Sequence, residues 1–196
     1  SLDISTETVE LINSGTMPFF EEDAQLLLNK CLQTELFYAT TDYSVISTAE
    51  IVIVVIGTPV DEYLNPDPKA VLDVFAACKP FMNSSQLVIL RSTVFPGVTA
   101  RVGELLSDSG LATEVVFCPE RILEGKALKE LRELPQIIGA SSERGAIRAI
   151  ELFKSLGIET ITVSSEEAEL AKLFTNVWRY IKFAAANQFW IMSNEA

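Results

Sequence analysis

Histidine is absent from this chain of 196 residues, and the only cysteines are Cys31, Cys78 and Cys118, with no CxxC among them. The first absence excludes a histidine-based nucleophile triad and a histidine-ligated metal. The second excludes a disulfide framework, and the scattered thiols read as those of a reducing compartment. Long apolar runs are also missing. A membrane helix needs about 20 residues, whereas the longest run, IVIVVIG at 51–57, has the length of one buried strand. The N-terminus shows no signal-peptide pattern, so a cytoplasmic location is expected. Basic residues are few: 15 Lys and Arg against 27 Asp and Glu leave a formal net charge of −12. That field repels nucleic acid and anionic membrane, so neither is expected as a partner. An anionic ligand would have to be met by local cations, which makes each well-placed lysine or arginine informative. None of the nine glycines forms a GxG pair, so the glycine-rich phosphate loop is lacking too.

What is present is a globular pattern, with 48% apolar and 21% charged residues. Helical periodicity is read over 6–13, 21–33, 67–82, 97–110 and 143–157, the last closed by Gly157. Strands are read over 36–41, 51–57, 86–93, 114–119, 136–140 and 159–163. Strands alternating with helices predict an α/β fold with a mostly parallel sheet. In such sheets ligands bind beyond the carboxyl ends of the strands, and three predicted strands end in unusual loops: GTPVD, RSTVFPG and CPERILEG. After Ser164 and Glu167, a possible capping box, helical periodicity runs to the end of the chain. On that long helix Leu170, Leu173, Phe174, Val177, Ile181, Ala184 and Ala185 share one face, read as core. Lys172, Asn176, Arg179, Phe183, Asn187 and Trp190 share the other, read as lining a site or a subunit contact.

Each loop carries candidate chemistry beside a plainer structural reading. Pro119 stops the strand in CPERILEG, so Glu120 and Arg121 emerge at its tip. Glu120 and Glu124 suit a general base and a cofactor contact, and Arg121 a phosphate or sugar; the alternative is a solvated loop with a surface ion pair. Cys118, embedded in a strand, is expected to be inert, because only an exposed, acidified thiol reacts. Ser92 and Thr93 precede a helix start whose N–H groups suit an anion, or simply cap that helix. Gly57 allows close approach to the backbone and Thr58 offers a hydroxyl; the alternative is a tight strand exit. Lys172 and Asn176 are i,i+4 neighbours that could steady an oxyanion, or sit on a solvated helix face.

Together and in this order, INSG…PFFEE, VIGTPVD, RSTVFPG, CPERILEGKAL…LPQIIGA and EAELAKLFTN…NQF span nearly the whole chain. The chain resembles the UDP-glucose/GDP-mannose dehydrogenase family of nucleotide-sugar 6-dehydrogenases. The resemblance implies an incomplete Rossmann-like, mostly parallel sheet in residues 1–164, and from 165–196 the start of a long central helix that links domains and carries a homodimer contact. It implies NAD as cofactor and a UDP-sugar as substrate, its C6 alcohol oxidised to the carboxylate by two NAD⁺ through a thiohemiacetal and a thioester on a catalytic cysteine. By motif match, Asp3 looks like the acidic residue on the adenosine ribose, and Gly57, Thr58, Pro59, Ser92 and Thr93 like cofactor-loop residues, with Thr93 also near the catalytic water. Glu120 looks like the carboxylate assisting hydrolysis and Glu124 like the nicotinamide-side carboxylate. Lys172 and Asn176 look like the oxyanion pair, with Arg121 and Arg179 on the substrate. CPER, in place of a Pro-Glu-Phe sequence, and Arg179 are similar to the UDP-N-acetylmannosamine dehydrogenase branch; UDP-glucose is the next substrate to consider.

The family pattern also places a first strand with GxGxxG before Asp3, a glycine-flanked catalytic cysteine after residue 196, and a UDP-binding domain beyond it. Gln188 stands where the family usually has glutamate, and Lys182 where the glucose branch has arginine. The expectation is therefore an internal piece of a dehydrogenase, inactive alone, with no resident metal. Two alternatives stand beside it: a non-enzymatic dimerising or binding module on the same scaffold, and a 6-phosphogluconate-type dehydrogenase. The latter shares the lysine–asparagine pair but is not expected to carry CPERILEG.

Overall fold

The computed structural model describes residues 1–57, 69–122 and 125–195. Its organising element is the strand β2, Leu87–Leu90, in which four consecutive apolar residues are all buried. Side chains alternate across a strand, so an unbroken apolar run requires cover on both faces. Val88 and Leu90 enter one cluster with Val71, Phe75, Val102, Leu106, Phe117 and Ala168. Leu87 and Ile89 enter the opposite one with Val116, Cys118, Ile138, Ala149 and Phe153. Burying each such large side chain contributes roughly 1.5–3 kcal/mol.

The sheet has the order β1 (Ile51–Val54), β2, β3 (Glu114–Phe117), β4 (Gln136–Ala140), β5 (Thr160–Val163). All neighbouring pairs are parallel except β3 with β4, which are antiparallel through Val116↔Ala140 and Phe117↔Gly139. The first cluster is covered by α3 (Lys69–Cys78), α4 (Val98–Ser107) and the start of α7 (Ser165–Glu195), the second by α6 (Glu143–Ser155). Two shorter helices, α1 (Thr6–Asn13) and α2 (Ala24–Gln33), precede the sheet, and α5 (Ala127–Glu133) joins β3 to β4. The α/β architecture, the mostly parallel sheet and the long final helix are as expected from the sequence. The capping box is also formed: the Ser164 N–H donates to Glu167 at 2.8 Å and the Glu167 N–H to the Ser164 hydroxyl at 3.2 Å.

Four features differ. Residues 36–41 make no strand, only an isolated parallel bridge between Leu2 and Thr40. Their backbone groups are satisfied elsewhere. The Asn13 side chain accepts from the Ala39 N–H at 2.8 Å and donates to its carbonyl at 2.9 Å, while Thr40 bonds Ser1 and Asp3. The segment ALKELRE, not recognised as helix, forms α5; its residues are strong helix formers. The apolar face of α7 is not core. Phe174, Val177 and Ile181 are exposed, and the buried residues of the helix are Ser165, Ala168, Glu169 and Lys172. A helix of 31 residues is about 46 Å long at ~1.5 Å per residue, far longer than four- or five-residue strands can cover, so it overruns the sheet.

The fourth is β1, read as a buried strand, which forms a part-exposed open edge. The Leu87 and Arg91 N–H groups bond the Glu50 and Val54 carbonyls, both at 3.0 Å. The parallel ladder thus uses the backbone groups of even-numbered residues of β1 and turns the N–H and C=O groups of Ile51 and Ile53 to the open edge, where the described residues offer no strand partner.

Candidate active site

The carboxyl ends of β2 and β3 lie side by side, and pairing continues past them: the Cys118 N–H bonds the Leu90 carbonyl at 2.8 Å and the Glu120 N–H the Arg91 carbonyl at 3.3 Å. Glu120 is therefore set beside Arg91 and Ser92. Its carboxylate accepts from the Ile122 N–H, which curls the loop back on itself. From α7, the Lys172 ammonium donates to the Glu120 carbonyl and lies 3.9 Å from its carboxylate. Lys172 is buried, and its pKa is lowered from 10.5 chiefly by that burial, against Glu120, which raises it; Arg179, Arg121 and Arg91 add to the lowering. Lys172, Arg91 and Arg121 thus share the Glu120 carboxylate as a neighbouring charge, with Arg179 beside Lys172, in a chain of net charge −12. A desolvated ammonium held in place can stabilise oxygen on which negative charge develops. The partly exposed carboxylate beside it can take a proton or orient a water.

Asn176, one turn beyond Lys172, and Thr93, just past β2, are half-buried, and no described residue hydrogen-bonds either side chain. Arg179 lines two clefts. One, of about 570 Å³, also touches Arg121, Trp178, Lys182 and Phe183; the other, of about 740 Å³, is walled by Met17, Phe19, Leu28, Phe37 and Ile122, with Glu120 at its edge. The Arg121 guanidinium donates to the Pro135 carbonyl, so it also clasps the loop to the start of β4. The Ser92 hydroxyl is engaged by the Ile56 backbone, accepting from its N–H at 2.8 Å and donating to its carbonyl at 2.7 Å. Gly57 follows directly, exposed, with nothing within 4 Å of where a Cβ would stand. Asp3 accepts from the Ser5 N–H at 2.8 Å. Thr58, Pro59 and Glu124 lie outside the described residues. Cys118 is fully buried and desolvation pushes its thiol up to about 12, which makes it inert as expected.

Sequence reasoning missed three residues that hold this constellation. Glu169, fully buried on α7, accepts from the Gly97 N–H at 2.7 Å, the Thr99 N–H at 2.9 Å and the Thr99 hydroxyl at 2.6 Å. The helix-start N–H groups read as suited to an anion are thus taken by the protein's own carboxylate. Glu21 accepts from the Gly125 N–H at 2.8 Å and the Ala127 N–H at 2.6 Å, tying the α1–α2 connection to the loop after β3. Gln136 donates to the Pro119 carbonyl at 3.0 Å and accepts from Arg91 at 2.9 Å. The signal for Glu169 was its i−3 spacing from Lys172; nothing local marked the other two, whose partners lie far away in sequence.

Residues 1–157 match the family described as the UDP-glucose/GDP-mannose dehydrogenase family, NAD binding domain. The chain belongs to that family. A UDP-N-acetyl-D-mannosamine dehydrogenase of Methanococcus maripaludis is 31% identical over 193 residues, covering 96% of this chain and 44% of that protein. Among solved structures, the UDP-D-ManNAc dehydrogenase of Pyrococcus horikoshii superimposes with a TM-score of 0.90 at 28% identity, over 97% of this chain and 47% of that one. The GDP-mannose dehydrogenase of Pseudomonas aeruginosa does so with a TM-score of 0.85 at 25% identity, over 95% and 45%. The chain therefore spans about half the length of these dehydrogenases. Within the family's NAD-binding domain fall the strand ends with Gly57, Ser92, Thr93, Glu120 and Arg121; Lys172, Asn176 and Arg179 lie beyond it, on α7.

Proposed function

We propose that this chain is part of an NAD-dependent dehydrogenase that oxidises the C6 alcohol of a UDP-N-acetylhexosamine to the uronate, with UDP-glucose as the second candidate. The observation that carries this reading is the buried Lys172 ammonium against Glu120 at the joined ends of β2 and β3. Alcohol to carboxylate is a four-electron oxidation that consumes one water. Lys172 and Asn176 hold the sugar oxygen that gains charge, and Arg121 and Arg179 meet the substrate's anionic and polar groups. Glu120 orients the incoming water and takes its proton, with the Thr93 hydroxyl beside it.

The residues present fit the nicotinamide end of NAD: Gly57 leaves the strand exit open, and Thr93 has a hydroxyl free of described partners. Asp3 would meet the adenosine ribose, and Thr58, Pro59 and Glu124 belong to the same set. NAD supplies hydride acceptance there. No GxG occurs to cradle the pyrophosphate, so the 196-residue chain binds NAD⁺ weakly and forms no NADH alone. The exposed Phe174, Trp178, Ile181 and Phe189 on α7 support a homodimer through that helix, which would also link residues 1–164 to a further domain. Among the described residues no helix is long and apolar enough to cross a membrane, consistent with work in the cytoplasm.

The test has two arms. The 196-residue chain with NAD⁺ and each UDP-sugar is expected to give no absorbance at 340 nm; NADH formation would overturn its inactivity. The whole reading frame from which it comes is expected to form two NADH per UDP-N-acetylmannosamine and to prefer that sugar to UDP-glucose. No NADH with any UDP-sugar would overturn the activity, and a preference for UDP-glucose would overturn the substrate.

A further inference from the structure

We propose that Glu169 is a positioning residue: anchored to the first turn of α4, its carboxylate sets where α7 stands and so places the Lys172 ammonium against Glu120. Three observations support this. Glu169 is completely inaccessible, and no cation lies within ion-pair distance among the described residues. Its charge is held instead by the Gly97 and Thr99 N–H groups and the Thr99 hydroxyl, at 2.6–2.9 Å. Those N–H groups lack intrahelical acceptors and sit at the positive end of α4, and hydrogen bonds to a charged acceptor are the strong class.

The second observation is spacing. Glu169 and Lys172 are i,i+3 on α7 and so share a face. With Ser165 and Ala168 they are the buried residues of a 31-residue helix. Among the described residues the polar hold of this helix on the body of the protein therefore lies in its first two turns, from Ser165, whose hydroxyl meets that of Ser141 at 3.2 Å, to Lys172. The third is stiffness. The lysine stem is long and rotatable and cannot fix the height of a helix; a carboxylate with three donors on one rigid turn can. A one-residue slip of α7 moves each side chain about 1.5 Å along the axis and rotates it by about 100°, enough to take Lys172 off the Glu120 carbonyl. Because Gly97 closes the loop that begins at Thr93, the same carboxylate also sets the spacing of Thr93 from Lys172.

What this means for catalysis rests on the reading of Lys172 given above; the placement itself does not, and its test uses no ligand. The Lys172 amine is titrated by NMR in the 196-residue chain, where it faces Glu120, Arg121, Arg91 and Arg179. Glu169→Gln keeps the volume but turns an NH2 group toward backbone donors. The Lys172 midpoint is expected to rise toward its ordinary value by roughly half a unit or more as the ammonium leaves its buried contact. Thr99→Val removes one of the three donors at constant shape and is expected to move it the same way by less. Val102→Ala, on the buried face of the same helix, lowers stability without touching Glu169 and is expected to leave the midpoint in place. An unmoved midpoint in a folded Glu169→Gln chain would overturn the proposal. If that variant does not fold, an unmoved midpoint in Thr99→Val would do so, as would a Val102→Ala shift equal to that of Thr99→Val.

Discussion

Gly139→Ala probes how closely α7 must dock. A Cβ at position 139 would stand 2.5 Å from the Ala168 Cβ, 3.0 Å from the Ser165 Cα and 3.1 Å from the Ser164 carbonyl oxygen. Carbon atoms rest at about 3.5–4.0 Å, so roughly 1 Å or more must be found. Two of the three neighbours are backbone, so the helix start has to retreat from β4. Glu169 is the next residue after Ala168, and its bonds of 2.6–2.9 Å have only a few tenths of an ångström to give. Overpacking costs about 1–3 kcal/mol, and weakening charged hydrogen bonds about 1.5–3 kcal/mol more. We expect a loss of roughly 3–5 kcal/mol, a large share of the ~5–15 kcal/mol typical of a domain. Urea denaturation measures it. Ala168→Gly removes the closest atom and by itself costs about 1–2 kcal/mol in helix propensity and lost burial. The double variant is therefore expected to be more stable than Gly139→Ala, with a coupling of about 2 kcal/mol. A Gly139→Ala protein within about 0.5 kcal/mol of the parent, or strictly additive effects in the double variant, would refute the reasoning.

Further outcomes follow from the same contacts. Thiol labelling of the native chain at pH 8 should modify the partly exposed Cys31 first, leaving Cys78 and Cys118 untouched until unfolding; with its pKa at about 12, Cys118 is thiolate in only about one molecule in 10⁴. Rapid native labelling of Cys118 would contradict this. Glu21→Ala should release the Gly125 and Ala127 amides to faster hydrogen exchange and cost about 1–3 kcal/mol, whereas unchanged protection would show that Glu21 does not hold the loop. Because Lys172 titrates below its ordinary 10.5 when folded, the unfolded chain binds more protons between the two values. Stability should rise as pH climbs through that interval and fall again as pH drops to the lowered value. Lys172→Met should flatten that part of a denaturation series, and an identical pH profile would count against a buried ammonium.

The helix–strand alternation was enough to specify an α/β sheet, because period is a local property of the chain; which strand is buried was not, since the run at 51–57 forms a part-exposed edge and the run at 87–90 the buried centre. The capping box at Ser164 and Glu167 and the glycine stop at Gly157, which adopts φ +74°, were legible for the same reason. The loop after β3 could be found as charge after a proline. Long-range pairing was not encoded locally. Residues 36–41 have strand composition but find no strand partner among the described residues, and Asn13 and residues 1–3 take up their backbone groups. The periodicity of α7 marks an apolar face correctly but does not say how much sheet lies beneath it; most of that face stays exposed. Tertiary structure alone decided that Glu169 is buried and that the helix-start amides near Thr93 already have an anion. It also decided that Lys172, spaced like a surface lysine, is desolvated against Glu120. Each depends on a contact between residues 52 or more positions apart, where folding geometry rather than sequence spacing sets the distance.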